Sequence, residues 1–204
     1  MVVKSQQNES NKEKMDKAQS GNYLGMPDNL PAPEDDGAAD HLLGMKIPDL
    51  LLPATSGEQI NLSKLPAVTV LFCYPMSGVP GVALPEGWDD IPGARGCTPQ
   101  ACSYRDKYPE LMKYVSQLFG LSTQTSAYQA ELKNRVALPY EILSDSNLQL
   151  QKGLSLPTFF ANNATLLKRL TLIIKDGVIS KVHYPVFPSD KDVDWVLAQL
   201  AQSN

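Results

Sequence analysis

Seven consecutive residues, Val68-Thr69-Val70-Leu71-Phe72-Cys73-Tyr74, are apolar or β-prone, and the run stops at Pro75. Without polar alternation, such a run reads as a strand buried on both faces. It belongs inside a sheet, with helices to cover each side. The chain supplies them. Helical spacing of Tyr104, Tyr108, Leu111, Met112, Val115 and Leu118 predicts a helix from Pro99 to about Leu118. Further helices are expected over Ser126–Val136, Leu148–Leu154 and Asp190–Gln202, the last with a stripe of Val193, Val196, Leu197 and Leu200. Strands are expected at Phe119–Ser122, Tyr140–Leu143 and Lys168–Ile174. Lys175-Asp176-Gly177 turns the last of these into a partner strand, Val178–His183. Two short extended segments, Ile47–Pro53 and Gln59–Leu62, flank a turn at Ser56-Gly57. The order predicts a three-layer α/β/α sandwich with a mixed central sheet.

The 204 residues suit one domain with length to spare. Residues 1–44 read as an acidic tail and arm: 1–27 are too polar to offset their ordering entropy, and 28–45 carry Pro31, Pro33 and Glu34-Asp35-Asp36, with Leu42 and Leu43 expected to touch the body. Residues 45–204 read as the folded domain. All of the net charge of −4 lies in the first 40 residues, and the remainder is balanced. Nucleic acid and anionic lipid are therefore not expected partners. No apolar run approaches the length of a membrane span, and the first residues hold no apolar leader core. With only three cysteines, the expectation is a cytoplasmic, reducing setting rather than a disulfide scaffold.

The chemistry concentrates in Gly96-Cys97-Thr98-Pro99-Gln100-Ala101-Cys102-Ser103-Tyr104-Arg105-Asp106. Pro99 suits a first helical turn, which puts Cys97 at or just before the helix N-terminus. The free N–H groups and the positive dipole end favour an anion there, and a thiolate is the reactive form of cysteine. Cys102 lies five residues on, roughly 8–9 Å away along an ideal helix. A disulfide needs less than ~7 Å, so the two sulfurs can bond only if the first turn unwinds. On spacing alone, the pair fits a reactive and a resolving cysteine, and it equally fits two unrelated cysteines, one of them core.

This segment, preceded by a strand that ends in Tyr74-Pro75, resembles the active-site segment of the peroxiredoxin Q branch, or bacterioferritin comigratory proteins, of the peroxiredoxin family. The likeness extends diffusely over about residues 46–203. It implies a thioredoxin-like fold and a thiol peroxidase that reduces hydrogen peroxide and organic hydroperoxides. Cys97 would be the peroxidatic cysteine and Cys102 the resolving one, with an intramolecular disulfide recycled by a thioredoxin- or glutaredoxin-like protein. No metal, flavin or haem is implied, and a monomer or homodimer is expected.

The resemblance also assigns supporting roles. Arg169 would reach the Cys97 sulfur from its strand, and Gln100 would hydrogen-bond that arginine. Family members commonly carry Pro-x-x-x-Thr-x-x-Cys, but here Ala94 stands three residues before Cys97 and a Gly- and Pro-rich loop over 76–95 intervenes. Ser77, or more weakly Thr98, would replace the missing hydroxyl. Neither His41 nor His183 has a context that places it near Cys97, and His183 reads as a surface or rim residue. Arg95 reads as a solvated charge, Arg105 as a helix-surface charge able to pair with Asp106, Arg135 as plain surface and Cys73 as core. Trp88 could cover the site, make a dimer contact or simply hold its loop. Two other functions compete. A thiol-disulfide oxidoreductase lacks its Cys-x-x-Cys. A non-enzymatic redoxin-fold interaction protein gains from the missing threonine.

Overall fold

A computed structural model describes residues 29–202. The tail expected over residues 1–27 lies outside them. The strand that anchors the sequence reading is β3 (Val68–Cys73), and it occupies the centre of a five-stranded sheet of order β5-β4-β3-β8-β9. β4 (Gln117–Ser122) and β5 (Glu141–Ser144) run parallel to it, while β8 (Leu170–Lys175) and β9 (Val178–His183) form an antiparallel hairpin on its other side. The sheet is therefore mixed.

Alternation along β3 divides the interior in two. Leu71 and Cys73 join Leu121, Leu172 and Ile174 on one face, covered by α4 (Gln149–Leu154) and by β1 (Leu52–Pro53), which pairs with β2 (Gln59–Ile60). Val70, Phe72 and Tyr74 face the other side, beneath α1 (Cys97–Asp106), α3 (Ser126–Arg135) and α5 (Asp192–Ala201). Phe72 stacks on Tyr104 of α1 with ring centroids 4.5 Å apart. Gly120 in β4 leaves room for this ring, since a Cβ there would stand 2.9 Å from Phe72 Cζ. The result is a thioredoxin-like α/β sandwich.

The expected helix from Pro99 to Leu118 is shorter and broken. α1 ends at Asp106, α2 covers only Tyr108–Leu111, and Leu118 lies in β4. Pro109 explains the break, because it has no N–H for the carbonyl four residues earlier and its ring crowds that carbonyl. A second hairpin, β6 (Thr158–Ala161) with β7 (Ala164–Leu167), lies where no strand was expected. Asn162 and Asn163 make its turn, with φ of 50° and 57°. Of the two arm leucines, Leu42 is fully buried but Leu43 is 63% exposed. The arm is also tied down by an ion pair between Asp36 and Lys168 and by Tyr184 donating to Asp36 (2.7 Å).

Candidate active site

Helix α1 starts at Cys97 because Gly96, with φ of 103°, takes a left-handed conformation that lets the loop turn into the helix. Gln100 N–H closes the first turn on the Gly96 carbonyl (3.0 Å), which also accepts from the buried Ser189 hydroxyl (2.8 Å). Cys97 is 5% exposed, and its sulfur lies 3.6 Å from the Ala94 carbonyl.

Arg169 immediately precedes β8, next to the C-terminal end of β3, where Cys73 pairs with Leu170. This register carries its guanidinium under α1. Nη2 is 3.3 Å from Cys97 Sγ and also donates to the carbonyls of Gly93 (3.2 Å), Ala94 (3.1 Å) and Arg95 (3.1 Å). Nη1 donates to Gln100 Oε1. One arginine thus meets the thiol and gathers the backbone that leads into it. Arg169 is only 3% exposed, so its charge acts with little solvent screening.

Gln100 is held from its far side by Asp192, whose Oδ2 accepts from Gln100 Nε2 (2.7 Å), Tyr104 Oη (2.9 Å) and Thr171 Oγ1 (2.6 Å). His183 Nδ1 lies 2.8 Å from Asp192 Oδ1, and its ring stacks on Trp195 with centroids 4.4 Å apart. A carboxylate can only accept, so Asp192 fixes the Gln100 amide with its nitrogen inward and its oxygen toward Arg169. Burial, and next the Asp192 charge, push the Tyr104 phenol well above its ordinary value, so it stays a donor. Sequence reasoning missed Asp192, and no local pattern marks it. His183 does not touch Cys97, yet it is more than a rim residue: it joins the chain Asp192–Gln100–Arg169–Cys97. His41 bonds the Leu154 carbonyl (2.9 Å), away from this group.

The remaining expected residues divide. Cys102 stays in α1 as a free, partly buried thiol, and burial pushes its pKa up. Thr98 is buried and lines a small cavity beside Cys97. Ser77 does not join the group: its N–H (2.9 Å) and hydroxyl (3.1 Å) both go to Gln124 Oε1, so its proton is committed elsewhere. Arg95 is paired with Asp89 (3.0 Å) rather than solvated. Arg135 is more than plain surface, since it pairs with Glu131 (2.7 Å) and donates to the Gly78 carbonyl (3.2 Å). Arg105 pairs with Asp106 (2.8 Å). Cys73 is fully buried, and burial raises its thiol far from any reactive range. Among the described residues, no three His, Cys, Asp or Glu side chains gather to hold a metal, and no helix is long and apolar enough to cross a membrane.

The chain is similar in sequence and in fold to known proteins. Peroxiredoxin bcp1 of Schizosaccharomyces pombe is 33% identical over 132 residues, which cover 63% of this chain and 60% of that protein. The chloroplastic peroxiredoxin Q of Arabidopsis thaliana is 28% identical over 156 residues, covering 76% of this chain and 64% of its own length. The chain thus spans less than two thirds of these relatives. The crystal structure of peroxidoxin BcpB from Mycobacterium tuberculosis superposes with a TM-score of 0.64 at 25% identity, covering 79% of this chain and 97% of that one. The sequence model of the Redoxin family matches residues 42–200, which include β1 to β9, the Cys97 helix and Arg169, and the chain belongs to the Redoxin family.

Proposed function

We propose that the protein is a thiol peroxidase. The observation that carries the reading is a buried cysteine at a helix N-terminus with an arginine nitrogen 3.3 Å from its sulfur. Helix dipole and guanidinium both direct positive potential at the sulfur, and the thiolate is the reactive form of cysteine. The thiolate attacks the terminal oxygen of a hydroperoxide, either hydrogen peroxide or an organic one. The S–O bond forms as the O–O bond breaks, and the departing oxygen takes a proton and leaves as water or an alcohol. Arg169 and the peptide N–H groups at the start of α1 stabilise the charge that develops on the oxygens. Gln100 orients Arg169, and Thr98 lines the pocket.

Cys97 is then a sulfenic acid. When the first turn of α1 unwinds, Cys102 attacks that sulfur, water leaves, and an intramolecular disulfide results. An external dithiol protein of the thioredoxin or glutaredoxin kind returns both thiols by exchange. This cycle suits a reducing compartment such as the cytoplasm, and a monomer or homodimer suffices for it because both cysteines are on one helix.

The test is the intact mass of reduced protein after one equivalent of hydrogen peroxide, with Cys97→Ser and Cys102→Ser alongside. Wild type is expected to lose two hydrogens. The Cys102 variant should hold a dimedone-reactive sulfenic acid on Cys97 after an undiminished first turnover. Peroxide consumption that survives in Cys97→Ser would remove the assignment. An inert Cys97 in wild type would instead favour a redoxin-fold interaction protein.

A further inference from the structure

The loop between β3 and α1 encloses the thiol, and it is fastened at both ends. At its start, Ser77 donates twice to Gln124 Oε1, Gln124 Nε2 donates back to the Ser77 carbonyl (3.1 Å), and Arg135 holds the Gly78 carbonyl. At its end, Asp89 pairs with Arg95 and the carbonyls of residues 93–95 converge on Arg169. Between these anchors Trp88 is 3% exposed. It forms a small apolar cluster with Ala94 and Leu166, against which Met76, Leu84 and Phe159 pack, and its ring centroid is 6.2 Å from that of Phe159. The β6–β7 hairpin therefore backs the loop from outside the sheet.

This arrangement leaves very little space at the sulfur. The cavity that Cys97 lines measures about 20 Å³, and its other walls include Met76, Leu84, Trp88, Ala94 and Thr98. By the usual scale, roughly 10–15 Å³ of such space accommodates one water molecule. A molecule of two oxygens fits with slight adjustment. An organic substituent on the peroxide meets Met76, Leu84 or Trp88, and the buried Trp88 ring cannot retreat without opening the packed cluster.

We propose that Trp88 and Leu84 are specificity-determining residues, forming a lid over Cys97 that admits hydrogen peroxide and excludes hydroperoxides with bulky substituents. The proposal rests on the peroxidase reading and ranks substrates within it. The lid acts by size. Neither side chain carries a group that takes or gives the proton of the reaction, so enlarging the space should change which peroxide reacts more than whether one reacts.

The experiment measures the second-order rate of Cys97 oxidation, from quenched samples read by mass, with hydrogen peroxide and with cumene hydroperoxide. The proteins are wild type, Trp88→Ala, Leu84→Ala and the conservative Trp88→Phe. Wild type should react with hydrogen peroxide faster by about tenfold or more, the scale on which a filled apolar pocket discriminates. Trp88→Ala and Leu84→Ala should narrow the ratio by raising the cumene hydroperoxide rate, while Trp88→Phe keeps it. Leu84 is only partly buried, so its variant carries the test if Trp88→Ala does not fold. Equal wild-type rates for the two peroxides, or ratios unchanged in both alanine variants, would overturn the lid and leave the peroxidase reading standing. Failure of both peroxides to oxidise Cys97 in wild type would overturn that reading itself, and the lid with it.

Discussion

Cys97 and Cys102 share one helix, and their surroundings are opposites. Cys97 is the first helical residue, beside a buried arginine whose position is set by Gln100 and Asp192. Cys102 lies deeper in α1, packed at the margin of the core that holds Phe72 and Tyr140, and burial makes it a poorer acid than a free thiol. The helix between them is pinned: the Tyr140 hydroxyl donates to the Ala101 carbonyl (2.7 Å), and Ser189 holds the carbonyl of Gly96. In the proposed cycle, one end reacts while folded and the other waits until the turn that separates them comes loose. The packing that positions Arg169 also keeps α1 wound between the two cysteines, so in the proposed cycle activation and resolution draw on one set of contacts in opposite directions.

The largest effect that would break this contrast is at Arg169. Arg169→Met keeps length and removes charge, and the rate of Cys97 oxidation should fall about 10²–10³-fold, the usual cost of losing one preorganised donor at a developing charge. Stopped-flow oxidation with a folding check by circular dichroism measures it; a rate within error of wild type would take Arg169 out of the chemistry.

A smaller effect is expected at Asp192, which reaches Arg169 through Gln100. Asp192→Asn lets the Gln100 amide turn over and misdirects Arg169, and oxidation should slow about tenfold to a hundredfold. The slowing should appear in the peroxide reaction and vanish when Gln100→Ala is already present, whereas a purely structural loss would persist in the double variant.

The mildest change sharpens the other end. Tyr140→Phe removes one pin from α1 and should leave the first oxidation unchanged while disulfide closure speeds up about two- to tenfold, the equivalent of one net hydrogen bond. The pH profile of closure carries further information. Burial raises Cys102 only while the helix is wound. Attack from the unwound state should therefore level off near the ordinary thiol value of about 8.5, and a rate still climbing well above it would mean attack from the folded helix.

Much of this was legible in the chain itself. The uninterrupted run at Val68–Tyr74 located the central strand because burial on both faces leaves no room for polar alternation. The turn at Asp176-Gly177 and the stripe of the last helix were legible for the same reason: each is a periodic signal within a few residues. The β6–β7 hairpin was not, although Asn162-Asn163 is the kind of pair that tolerates a left-handed turn, because its flanking residues are only partly buried and show no clean alternation. The break in the first helix was written in Pro109 but overridden by the apolar spacing that continues beyond it.

The sequence by itself determined that a cysteine opens a helix after a central buried strand, since glycine, cysteine and proline in that order act through local backbone geometry. Only the tertiary structure decided what surrounds it. Asp192 reaches Gln100 across 92 residues of chain, and Arg169 reaches Cys97 across 72. Both depend on how β8 pairs with β3 and how α5 packs beneath α1. Trp88 closes over the thiol because a hairpin 70 residues away supports it. Contacts at such separations are set by packing of the whole domain, and no short window of sequence carries them.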